Sequence, residues 1–229
     1  MSTKPKRRAP PAQQDLRFPS TWGGRRPGAG RPRSRLGPTM VPHRARPLHK
    51  RAHPVHVTLR LQPDLGASIR HDRFRALRRL FTAATKQTFQ VVHFSAQSNH
   101  FHLIVEADDS NRLARGMQGL AVRLARRINR VLGRRGRVFR ERYHMRALTS
   151  PRSVRNALVY VLQNFKRHRI QLTPPDLCSS GPWFGGWRDA LAPPPRAPPP
   201  VEPARTWLLA MGWKRHGLIG LAEAPRAPA

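Results

Sequence analysis

Three features of the sequence predict an α+β fold: a ferredoxin-like antiparallel sheet with helices on one face and an added helix near the C-terminal end. Segments of alternating hydrophobicity and segments of helical periodicity follow in the order strand, helix, strand, strand, helix, strand. A further helical stripe comes after them. The chain has 229 residues, enough for one domain of ordinary size with tails but short for two.

The first strand is read from Val57, Leu59 and Leu61 alternating with His56, Thr58 and Arg60. Phe74, Leu77, Phe81, Ala84 and Thr88 then recur at three- and four-residue spacing, the stripe of an amphipathic helix. Two strands follow, 90–96 and 100–106, joined by Gln97-Ser98-Asn99, a polar connection suited to a tight antiparallel hairpin. A long helix over 111–132 places Leu113, Met117, Leu120, Leu124, Ile128 and Val131 on one face, and Gly133 is its stop. Residues 138–148 mix aromatic and branched side chains with Arg and read as a fourth strand or an irregular hairpin. The last helix starts at Ser150-Pro151, a capping residue followed by a first-turn proline. Val154, Leu158, Val161 and Phe165 form its buried stripe.

Composition names the partner class. Lys and Arg total 44 against 11 Asp and Glu, a formal charge of +33, which repels itself unless a polyanion neutralises it. Nucleic acid is the expected partner. No apolar run is long enough to span a bilayer, and the basic start lacks the apolar segment of a signal peptide, so a soluble, cytoplasmic, nucleoid-associated protein is expected. The single cysteine, Cys178, cannot form an intramolecular disulfide or a thiolate metal site by itself. Residues 1–52 are rich in Arg, Pro and Gly and read as a disordered basic arm. Within it, Gly23-Gly24-Arg25-Arg26-Pro27-Gly28-Ala29-Gly30-Arg31-Pro32 resembles short minor-groove elements, and a purely electrostatic tail has the same charge pattern. Residues 53–172 hold the expected catalytic domain. Residues 173–229 form a Pro-rich linker or tail in which the Trp207–Trp213 stretch is a candidate docking helix.

On the third strand His100 and His102 share one face, while Phe101, Leu103 and Val105 share the other. Both imidazoles, expected to be half-exposed, are candidate metal ligands, and the pair needs one more oxygen or nitrogen donor to complete an open site. On the last helix Asn156, Tyr160 and Asn164 form a row beside the apolar stripe. Neither spacing assigns a reaction alone, because histidines decorate many strands and a tyrosine at a core edge often only hydrogen-bonds there.

The two together carry a resemblance. Ser98-Asn99-His100-Phe101-His102-Leu103-Ile104-Val105, followed by Tyr160-Val161-Leu162-Gln163-Asn164, resembles the single-tyrosine HUH transposases, the REP-associated tyrosine transposases in particular. The likeness spans about residues 54–169 and implies that His100, His102 and Asn164 hold a divalent metal while Tyr160 is the nucleophile. It also implies that the partner is single-stranded or hairpin DNA, cut through a 5′-phosphotyrosine and rejoined by the reverse attack. An oxygen-preferring ion, Mg2+ or Mn2+, suits that chemistry. Many members of that family continue after the Asn with Pro and a basic residue, where this chain reads Phe165-Lys166-Arg167-His168. Arg123, Arg126, Arg127, Arg130, Arg142, Lys166 and Arg167 are the expected DNA contacts, in a monomer or a homodimer. Tyr143, in a basic segment, is expected to be structural or to stack on bases.

Other readings separate on single residues. A histidine-triad hydrolase needs a third histidine where Ile104 stands, and zinc is disfavoured because Cys178 lies in another region. A non-catalytic, domesticated nucleic-acid binder would carry the same charge. It has no need of His100, His102, Tyr160 and Asn164 together.

Overall fold

The strands are β1 (Val55–Arg60), β2 (Phe89–Ala96), β3 (His100–Ala107) and β4 (His144–Ala147). They form one antiparallel sheet in the order β2-β3-β1-β4, the ferredoxin-like order. The computed structural model describes residues 46–69, 72–168, 175–191, 193 and 195–225. The basic arm up to residue 45, with its minor-groove-like stretch, lies outside the described residues.

Two helices, α1 (Asp72–Ala84) and α2 (Ser110–Val131), cover one face of the sheet. The apolar sides of the strands are turned to them: Val55, Val57 and Leu59 from β1 and Phe101, Leu103 and Val105 from β3 are all buried with Phe81, Met117 and Leu120. Ring stacking fixes this layer, with Phe81 and Phe94 centroids 4.3 Å apart. Gly116 on α2 is needed for the approach, since a Cβ there would collide with the Phe89 ring. Asp109 caps α2 by accepting from Arg112 N, and Gly133 ends it at φ 60°, in the left-handed region that glycine enters freely.

Helix α3 (Pro151–Gln163) lies on the other face, where Val154, Leu158 and Val161 pack with Val92 and Ile104. Val92 turns to α3 by ordinary strand alternation, and a β-bulge between Val91 and His93 then shifts that alternation, so that Phe89 and Val91 before it and Phe94 and Ala96 after it all face the α1/α2 layer. Ser150 caps α3 in a reciprocal box with Ser153, and Pro151 occupies the first turn. The region 138–148 forms only the short edge strand β4, preceded by an isolated bridge between Leu61 and Phe139.

The segment after 174 is not free of the domain. Helix α4 (Trp207–Ala210) and the turn Gly212–His216 bury Leu209, Trp213 and Ile219 against α3. The Glu106 carboxylate, buried on β3, accepts from Gln90 Nε2 (2.6 Å), Arg205 N (2.8 Å), Thr206 N (2.9 Å) and Thr206 Oγ1 (2.6 Å), pinning the start of α4. Arg155 on α3 donates to both Glu223 oxygens and to the carbonyls of Gly217 and Leu218. Among the described residues no helix is long and apolar enough to cross a membrane. Cys178 is buried and is in no disulfide among the described residues.

His93 on β2 ties the sheet to this C-terminal layer, with Nδ1 3.2 Å from Ser180 Oγ and its ring edge-on to Phe184. Removal from water lowers its pKa from 6.5 to about 4. The folded state therefore keeps His93 neutral where the unfolded chain takes up a proton. Stability is complete above pH 6.5 and falls as the pH drops toward 4. Urea titrations across that window should show a loss of at most about 3 kcal/mol from this group, and His93→Gln should flatten the slope.

Candidate active site

The polar faces of β1 and β3 meet beneath α3. Register pairs Thr58 with His102 and Arg60 with His100, so the side chains of these residues share the sheet face opposite α1 and α2. His102 is buried and His100 half-buried, and their Nε2 atoms converge to 2.6 Å. Each ring is anchored through its other nitrogen. His100 Nδ1 contacts Asn99 Oδ1, and in the tautomer that donates to that oxygen Nε2 keeps its lone pair. His102 Nδ1 stands 3.2 Å from both Thr58 Oγ1 and His56 Nε2, and as donor there it leaves its own Nε2 lone pair on the same point. Facing lone pairs at this separation repel unless a proton or a cation lies between them.

Asn164 closes the site. It is the C-cap of α3, 1% exposed, and its carboxamide reaches His100 Nε2 at 3.4 Å. Rotation of the amide decides which of its atoms faces the imidazole, and only its oxygen is able to ligate a metal. Two imidazole nitrogens and an amide oxygen form a donor set that fits one divalent ion with open positions. Among the described residues no group of three or more His, Cys, Asp or Glu is arranged to hold a metal, so the amide would have to be the third ligand. Glu106, on the same strand face, is committed to Gln90, Arg205 and Thr206.

Tyr160 lies one helical turn before Asn164. Its ring is edge-on to His102, centroids 4.8 Å apart at 76°, and also edge-on to His56 at 5.6 Å. The row expected on this helix is graded in burial: Asn156 is exposed, Tyr160 half-buried and Asn164 buried. The two tyrosines differ in environment. Burial raises the Tyr143 pKa above its ordinary value, against the opposing pull of Arg46 and Arg142.

His56 was not among the expected site residues. Desolvation first, then the nearby His144, Arg146 and His100, lowers its pKa from 6.5 to about 4, which keeps it neutral and able to accept from His102. The alternation of His56, Thr58 and Arg60 was visible in the sequence. Its register against β3 was not.

The expected DNA contacts divide. Arg123, Arg126, Arg127 and Arg130 stand on α2, across the sheet from the histidines, and Arg123 donates to Ala83 O. Arg142 is exposed just before β4. The Lys166 ammonium is turned to the carbonyls of Leu221 and Glu223, and desolvation lowers its pKa. The side chain of Arg167 lies outside the described residues. Exposed His144 and Arg146 of β4, register partners of Thr58 and His56, are basic groups much nearer the histidine pair than any on α2.

One solved structure that this chain matches is that of the REP-associated tyrosine transposase bound to a REP hairpin. The TM-score is 0.46 at 13% identity, covering 56% of this chain and 74% of that one, a distant likeness. No family model matches the sequence. No curated protein matches it either.

His102 is buried, not half-exposed as expected from the strand alone, so its loss is felt by the fold. His102→Ala should lower stability by about 1–3 kcal/mol in a urea titration, because Thr58 and His56 lose a shared partner. His100→Ala, at a half-buried position, should cost less.

Proposed function

We propose that the chain is a metal-dependent transposase or nuclease that cleaves and rejoins single-stranded DNA with Tyr160 as nucleophile. The observation that carries this reading is the convergence of His100 and His102 Nε2 beneath α3, with the Tyr160 ring edge-on to His102. A strand decoration has no reason to bring both nitrogens to one point and to engage each ring through its other nitrogen as well.

Under this reading His100, His102 and Asn164 hold the ion, and Asn99, Thr58 and His56 orient the two imidazoles. The ion, Mg2+ or Mn2+, supplies Lewis acidity to the phosphoryl oxygens and charge stabilisation near the phenol. An ordinary tyrosine ionises near pH ~10 and attacks poorly as a neutral phenol, so a cation beside it matters. Tyr160 loses its proton and its oxygen attacks the scissile phosphorus in line. The bond from phosphorus to the 3′ oxygen breaks, that oxygen takes up a proton, and the 5′-phosphate stays on Tyr160. Attack of a 3′-hydroxyl on the phosphotyrosine restores the phosphodiester, so joining needs no ATP. Exposed Arg146 and His144 flank the approach, and the net charge of +33 supplies affinity for the strand.

Incubation with labelled single-stranded hairpin DNA and Mn2+ tests the reading. Wild type should form a covalent adduct, Tyr160→Phe none, and Tyr143→Phe the normal amount. An adduct that persists in Tyr160→Phe overturns the assignment. A folded His102→Ala should lose cleavage and bind Mn2+ weakly in calorimetry, and Asn164→Ala should lose less affinity because water can replace a neutral amide oxygen. If both histidine variants bind Mn2+ and cleave like wild type, the chain is a binder without this catalysis.

A further inference from the structure

Tyr143 and Arg142 take no part in the chemistry of Tyr160, yet both line a cleft of about 210 Å3 on the α2 side of β4. The first turn of α2, with Ser110 and Leu113, forms one wall, and Arg46 and His49 from the chain leading into β1 form another. The Arg46 guanidinium lies over the Tyr143 ring, 3.7 Å from its centroid, and donates to the Tyr143 carbonyl at 3.1 Å. That carbonyl would otherwise face outward on an edge strand. His49 is 9% exposed. Its backbone N–H donates to Ser110 Oγ and its Nε2 to Ala107 O at 2.8 Å, which fixes the tautomer and leaves a buried Nδ1 without a partner.

A guanidinium lying over an aromatic ring is a preorganised stacking surface, of the kind that unpaired bases use on proteins. The exposed Arg142 adds positive charge at the same opening. The space is smaller than the roughly 300–1,000 Å3 of drug-sized pockets, which suits a single nucleotide unit and excludes a duplex. A plain phosphate site would have no use for the stacked plane.

We propose that this cleft seats one unpaired nucleotide of a single-stranded DNA, its base stacked on the Arg46–Tyr143 pair and its phosphate facing Arg142. The proposal rests on the reading above that the chain handles single strands, and deepens it. β4 divides the cleft from the histidine site: Tyr143 packs toward α2, while the neighbouring His144 pairs in register with Thr58, which contacts His102. Two strand spacings, about 10 Å, separate β4 from β3. A strand draped over the β4 edge thus passes from the gripped base to the histidine pair within a few nucleotides, and the cleft sets where the cut falls relative to that base.

The test uses the full chain in EDTA and a short oligothymidylate carrying one 2-aminopurine, so that binding is read without cleavage. Wild type should quench the 2-aminopurine. Tyr143→Ala should abolish the quench and raise Kd at least about fivefold, the lower end of what one stacked base contributes, with the salt slope unchanged. Tyr143→Phe should keep both quench and affinity, and Arg142→Ala should lower the salt slope by about one. If Tyr143→Ala is destabilised, Arg46→Ala, which leaves the ring in place, should still weaken the quench. Unchanged quench and affinity in Tyr143→Ala and Arg46→Ala overturn the proposal. Equal affinity for thymidine 5′-monophosphate and deoxyribose 5-phosphate overturns it in favour of a simple anion site, and tighter binding of a phosphopeptide than of the oligonucleotide overturns it too. Failure of wild type to form the Tyr160 adduct would sink the cleavage reading and leave these binding results intact.

Discussion

The antiparallel register of β1 against β3 holds the rest in place. β3 is covered on both sides, by Phe101, Leu103 and Val105 toward α1 and α2 and by Ile104 toward α3, so a slip of one residue would drive His100 and His102 into an aromatic core. The same register delivers Thr58 and His56 to His102. Stability and site geometry are therefore set by one choice, and the apolar face enforces it.

The second face of the sheet is completed from far along the chain. Helix α3 buries its stripe against Val92 of β2 and Ile104 of β3, and its outer side is covered by Leu209, Trp213 and Ile219. Buried charge does the fastening. Glu106 is satisfied by two backbone and two side-chain donors, and Arg155 spends its guanidinium on Glu223 and two carbonyls, so neither is left as an uncompensated ion. The helix that carries Tyr160 and Asn164 is thus clamped between the sheet and the C-terminal segment. A side chain that must meet a reacting atom within a fraction of an ångström needs such a rigid support.

Much of the fold was legible in the sequence because its signals are local. The alternation in β1, the stripe of α2 and the Ser150-Pro151 start of α3 each depend on residues a few positions apart, and the structure follows them to within a residue or two. The co-alignment of His100 and His102 on one strand face is equally local. So is the spacing that puts Tyr160 and Asn164 one turn apart.

Long-range geometry decided the remainder. That His56 and Thr58 sit beside His102, that Glu106 is consumed by the chain at Arg205 and Thr206, and that Lys166 turns to Leu221 and Glu223 are contacts across about 45 to 100 residues. The Arg46–Tyr143 stack, spanning 97 positions, is of the same kind. Periodicity reports which face of an element is apolar. It carries no information on which polar groups another element brings to the opposite face, because that depends on strand order, on a bulge and on how a tail folds back, and these are settled only when the whole core packs.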